Sequence, residues 1–145
     1  MLKKILLPVD GSGHAWRALD FASDLARQYG ATLVILHVYG TGAPPPELRE
    51  FVEAEHLTGP DLPRQLAERV LDSAEERARE HGVESIERMV GRGEPARAIL
   101  EVAKSVGADC IVMGSRGLGD LQGLLLGSVS HKVMQLAPMT CVSVR

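Results

Sequence analysis

The residues best suited to chemistry stand between Asp109 and His131, in DCIVMGSRGLGDLQGLLLGSVSH. Cys110-Ile111-Val112-Met113 is wholly apolar and reads as a strand buried on both faces, since nothing in it alternates with polar residues. The run stops at Gly114. Gly117, Gly119, Gly123 and Gly127 follow, and then Ser128-Val129-Ser130 opens a helical pattern in Val129, Val133, Met134 and Ala137. A strand, a glycine-rich loop and a helix start together suit an anion. Glycines let backbone N–H groups turn inward and approach a ligand, and a helix N-terminus adds free N–H groups and a partial positive charge. Phosphate is the obvious candidate. The hydroxyls of Ser128 and Ser130 could donate to phosphate oxygens, although one serine would cap this helix in any case. Arg116, inside the loop, either reaches a phosphate or stays in solvent.

Competing signatures fail on details. A P-loop requires G-x-x-x-x-G-K-[ST], and no lysine stands between Gly127 and Ser128. Gly11-x-Gly13 begins a dinucleotide fingerprint, but Trp16 replaces its third glycine with bulk that opposes close helix–strand packing. A nucleophile elbow is missing as well, because His131 stands where its closing glycine is required. The histidines, spread from His14 to His131, show no metal-ligand spacing.

Gly114-x2-Gly117-x9-Gly127-Ser128, placed after a buried strand, resembles the nucleotide-binding signature of the universal stress protein family in its ATP-binding branch. Val9-Asp10-Gly11-Ser12, Gly93-Glu94-Pro95 and Gly127-Ser128-Val129-Ser130 match that family's pattern too, so the resemblance covers nearly the whole chain. It implies a strand order of 3-2-1-4-5 and a homodimer through the last strand. It implies ATP, with Mg2+, as the ligand. Contacts are then expected from Pro8, Val9 and Asp10 at the first strand end, Val38 at the second, and Met113, Gly114, Arg116 and Gly117 at the fourth. Gly127, Ser128, Val129 and Ser130 would complete the site. Asp10 would accept from a ribose hydroxyl or approach the magnesium ion, or else cap the helix that follows it. Val9 and Val38 would flank the adenine ring, or are buried strand residues and nothing more.

These residues need elements to hold them. Lys3 to Val9 reads as a first, central strand. Ala15, Leu19, Ala22, Ala26 and Tyr29 recur at helical spacing until Gly30 supplies a left-handed stop. Thr32 to Val38 is a second buried strand, apolar but for His37. Thr41 to Pro63, with five prolines, is the longest irregular connection, a variable flank or lid with a short helix from Glu47 to His56. Pro63 suits a helix's first position, and Leu66, Ala67, Val70, Leu71, Ala74 and Ala78 lay an apolar face along a helix ending at Gly82. Val83 to Val90 is a more polar strand, as an edge would be. Gly93-Glu94-Pro95 enters a helix closed by Gly107, and Thr140 to Val144 is the last strand. Strands alternating with helices argue a single doubly wound α/β domain, residues 1–145, with a five-stranded parallel sheet covered on both faces.

Composition narrows the partners. The chain of 145 residues is 45% hydrophobic, enough for a real core, and its few aromatics make that core aliphatic. A net charge of -3 offers no field for nucleic acid and no basic stripe for a membrane. Pro8 and Asp10 cut the first apolar run short of a signal-peptide core, so a cytoplasmic protein is expected. Cys110 and Cys141 lie in apolar strand patterns and read as small buried hydrophobes, neither ligands nor a disulfide. The functional expectation is a nucleotide-responsive regulator in stress response rather than a committed enzyme, with no catalytic residue assigned. A slow Mg-dependent ATPase and a partner-binding platform without nucleotide are the alternatives.

Overall fold

The computed structural model describes residues 1–40, 46–117 and 126–145. Five strands, β1 (Lys4–Pro8), β2 (Thr32–Tyr39), β3 (Ile86–Arg92), β4 (Cys110–Gly114) and β5 (Thr140–Val144), form one parallel sheet in the order β3-β2-β1-β4-β5. The helices are α1 (Gly13–Tyr29), α2 (Pro46–Ala54), α3 (Leu62–Glu80), α4 (Pro95–Val106) and α5 (Ser128–Leu136). This is the doubly wound architecture expected, with β3 and β5 at the edges.

The two-residue period of each strand divides the core. Ile5, Leu7, Leu33, Ile35, Cys110 and Val112 point to one face, where Ala18, Leu19 and Ala22 of α1 and Val70, Leu71 and Ala74 of α3 cover them. Leu6, Val34, Leu36, Ile111 and Met113 point to the other, under Ala96, Ile99 and Ala103 of α4 and Val133 of α5. Each of these larger aliphatic side chains contributes about 1.5–3 kcal/mol by leaving water. Alanine on the helices lets them lie close against the sheet.

Local signals end the helices as read. Gly30 adopts φ 63° and Gly107 φ 67°, left-handed conformations in which the next N–H, of Ala31 or Ala108, returns to a carbonyl five residues back. The third strand departs from expectation: it spans Ile86–Arg92 rather than 83–90, because its register against β2 runs on from Leu33↔Ile86 to Tyr39↔Arg92. Val83 is instead a buried residue before the strand. In α3, Pro63 is the second residue, where its missing N–H is equally harmless. The short helix in the expected irregular connection is α2, and residues 41–45 of that connection lie outside the described residues.

Asp109 fixes the entry to β4, accepting N–H donations from Lys3 at 2.8 Å and Lys4 at 2.9 Å, so β4 starts level with β1. Both cysteines are free, and burial raises the Cys110 thiol pKa to about 11, as fits a small apolar filler. Among the described residues no helix is long and apolar enough to cross a membrane.

Candidate functional site

Between β1 and β4 the chain's progression across the sheet reverses, and in an open parallel sheet the crevice beyond the strand ends at that point is where ligands fit. A cavity of about 380 Å3 lies there, within the range of small-molecule sites. Pro8, Val9, Asp10, Val38, Met113 and Gly114 line it from the strand ends; Arg116, Gly117, Ser128, Val129 and Ser130 line it from the loop and α5. Of the residues expected from sequence, only Gly127 is not on its wall. Gly119 and Gly123 lie outside the described residues.

The start of α5 has the character of an anion site. Gly127 is its N-cap, with φ -71° and ψ 164° and no side chain to accept from the first turn. The Gly127 N–H donates to the Ser115 carbonyl, tying α5 to the end of β4, and the first intrahelical bond is from the His131 N–H to the Gly127 carbonyl. The N–H groups of Ser128, Val129 and Ser130 therefore precede the helix ladder and have no acceptor within it. All three residues border the cavity.

Three expectations for this region need correction. Neither serine caps α5, because the cap position falls on Gly127. The Ser130 hydroxyl is buried and donates to the Gly114 carbonyl at 2.6 Å, so its one proton is spent on holding helix to strand and not on a phosphate. The need for glycine also differs from what the loop reading supposes. Gly127 has a φ that any residue adopts, whereas a β-carbon on Gly114 would stand 2.8 Å from both the carbonyl carbon and Cβ of His14. Glycine at position 114 is there so that α1 can lie against β4.

Around the first strand end, Ser12 caps α1 by accepting from the Ala15 N–H at 3.2 Å, and Asp10 is not the cap. Asp10 accepts from the Ser12 N–H at 2.9 Å, which steadies the turn while its side chain borders the cavity. Arg116 is held rather than loose. Its Nε donates to His14 Nε2 at 3.2 Å, which leaves the His14 proton on Nδ1, facing Ser115 Oγ at 3.2 Å. Burial, together with the Arg17 and Arg116 cations, lowers the His14 pKa and keeps this ring neutral.

Sequence reasoning missed two features. The first is an apolar wing made by Ala15 of α1, Leu48 of α2, and Leu62, Pro63 and Leu66 of α3, which line the same cavity as Pro95, Ile99 and Val129. The second is His37, which is 5% exposed, lines the cavity and contacts the Val9 carbonyl through Nδ1 at 2.8 Å. Its signal was in plain view as the histidine that interrupts the apolar run from Leu33 to Val38.

Fold and crevice together define a doubly wound α/β protein whose cavity combines strand ends with a helix start. The sequence profile of the universal stress protein family matches residues 1–145. The chain is similar to universal stress protein YxiE of Bacillus subtilis (strain 168), 38% identical over 160 residues with the whole of both chains covered. It also resembles a universal stress protein solved in complex with cAMP, at 28% identity and a TM-score of 0.74, covering 99% of this chain and 97% of that one. The fold agrees with UspA from Lactobacillus plantarum at a TM-score of 0.81 and 23% identity, covering 99% and 98% of the two chains. The chain belongs to the universal stress protein family.

Proposed function

We propose that this crevice binds ATP with magnesium, and that the chain is a cytoplasmic, nucleotide-responsive regulator. The observation that carries the reading is the start of α5: three N–H groups without intrahelical acceptors, capped by a glycine, open onto a cavity whose other end is apolar. The polar end suits phosphates and the apolar end a base. Arg116 is the cation beside the phosphate end, and Asp10 is the carboxylate on the wall that would face a ribose hydroxyl or magnesium. The relative solved with cAMP supports a nucleotide as the ligand class.

Binding should stabilise the fold by mass action. At a hundredfold excess of ATP and magnesium over the dissociation constant the gain is about 2.7 kcal/mol, a rise in melting temperature of roughly 5–10 °C for a domain of this size. GTP should raise it less, since the groups around Val38 would recognise adenine. Thermal denaturation with each nucleotide checks this. No shift with ATP, or equal shifts with both, overturns the assignment, and a larger shift with cAMP moves it to the cyclic nucleotide.

The same reading includes a homodimer paired antiparallel through β5, an edge strand whose outward N–H and C=O groups are available to a second copy. Met134 and Leu136 of α5, 41% and 60% exposed, add apolar surface next to it in sequence. The Val144 carbonyl accepts from the Ser115 N–H, so Val144, and with it Val142, turns its backbone toward β4, while Cys141 and Ser143 turn theirs outward. Ser143→Pro removes an outward donor and spares the inner ladder. Light scattering should find a dimeric parent and a folded, largely monomeric variant; a monomeric parent or an unaffected dimer would refute the pairing.

A further inference from the structure

We infer that His37 is the residue that selects the base, by accepting a hydrogen bond from the exocyclic amine of adenine at its Nε2. The inference rests on the nucleotide reading above and adds a specificity-determining residue to it. A carbonyl cannot donate, so the 2.8 Å contact between Nδ1 and the Val9 carbonyl puts the ring proton on Nδ1. The ring is neutral, because burial lowers its pKa more than the Val9 carbonyl and Asp10 raise it. Nε2 is left with a lone pair in one orientation, an acceptor that cannot become a donor without breaking the Val9 bond or charging a buried ring.

Nε2 is also reachable from the cavity. It has no hydrogen-bond partner among the described residues, yet it is not among their fully buried, unsatisfied side-chain atoms, of which Ser23 Oγ is the one, so it keeps some exposure. His37 borders the cavity, and strand alternation places it on the same sheet face as Leu33 and Ile35, the side covered by α1 and α3. The same cavity is lined by the apolar Leu62, Pro63 and Leu66, and by Asp10, whose charge acts on the ring. A fixed acceptor beside apolar side chains suits the edge of a flat ring that carries a donor.

Distance separates this role from contact with ribose or phosphate. β2 is two strands away from β4, which is about 10 Å at ordinary strand spacing. With phosphates held at the start of α5 beside β4, the ribose falls near β1 and the base near β2. Guanine and hypoxanthine carry an oxygen acceptor where adenine carries the amine, and each would set lone pair against lone pair at Nε2.

The test is calorimetric titration of ATP and of ITP, which differs at that substituent, into the parent, His37→Asn and His37→Gln. Asparagine can keep the donor to the Val9 carbonyl but offers nothing at the Nε2 position, whereas glutamine offers an acceptor near it. The parent should prefer ATP by about tenfold, the scale of one hydrogen bond gained against one acceptor clash. His37→Asn should cut that preference by about fivefold or more, by weakening ATP and by relieving the clash with ITP, and His37→Gln should retain most of it. A parent that binds both nucleotides equally, or a preference unchanged in His37→Asn, overturns the role of His37 alone. A parent that binds neither overturns the nucleotide reading beneath it.

Discussion

Replacing Gly127 by valine should weaken ATP binding by at least about a hundredfold while leaving the sheet and its helices in place. The backbone is not the reason, since φ -71° and ψ 164° are open to valine. Gly127 is buried at the N-cap of α5, next in sequence to the Ser128, Val129 and Ser130 N–H groups, so a branched side chain there is expected to crowd an anion held at them. A charge-assisted hydrogen bond contributes about 1.5–3 kcal/mol, and the loss of two exceeds two decades in affinity. Valine is a poorer cap than glycine, which costs about 1 kcal/mol of stability, far too little to unfold a domain. Calorimetry beside circular dichroism decides the matter: a folded variant that binds ATP as the parent does removes the start of α5 from the site.

Gly114→Ala should destabilise the protein by about 1–3 kcal/mol, the usual cost of forcing an extra carbon into a packed interior. The sign is what makes the measurement informative. Strand propensity alone favours alanine over glycine by roughly 0.5–1 kcal/mol. The structure reverses that preference because the new β-carbon would lie 2.8–2.9 Å from the carbonyl carbon, Cβ and carbonyl oxygen of His14. Two of those atoms belong to the backbone in the first turn of α1, so no side-chain rotation relieves the contact. The helix would have to withdraw from β4, carrying with it the turn that holds Asp10 and the His14 ring on which Arg116 rests. A melting temperature lowered by several degrees is expected, with weaker ATP binding as a second effect. A variant as stable as the parent would mean that α1 does not approach β4 this closely.

The wall of the site was largely legible before any tertiary contact was known. Buried parallel strands end where continuous apolar runs meet Asp10, Tyr39 and Gly114, and ligands in such sheets gather at those ends, so naming the ends nearly names the residues. The glycine spacing after β4 and the serines opening α5 pointed to an anion for equally local reasons. What individual atoms do there was not legible. The sequence leaves Ser130 either a phosphate donor or a cap, whereas its hydroxyl donates to the Gly114 carbonyl, and it marks His37 as the break in an apolar strand without placing its ring on the Val9 carbonyl.

By itself the sequence determined the strands, the helices, their left-handed stops at Gly30 and Gly107, and the sorting of apolar residues onto faces. Each of these follows from a period of two or of 3.6 residues or from one residue's own backbone freedom, and such properties act over a few neighbouring positions. Tertiary structure alone decided that Leu48, Leu62 and Leu66 wall the crevice, that position 114 must be glycine because His14 lies against it, and which of the serine and histidine atoms remain open to a ligand. Those outcomes join residues as far apart as His14 and Ser115. They depend on the register of β1 against β4 and on how closely a helix settles on the sheet, and both are set by the packing of the whole core at once.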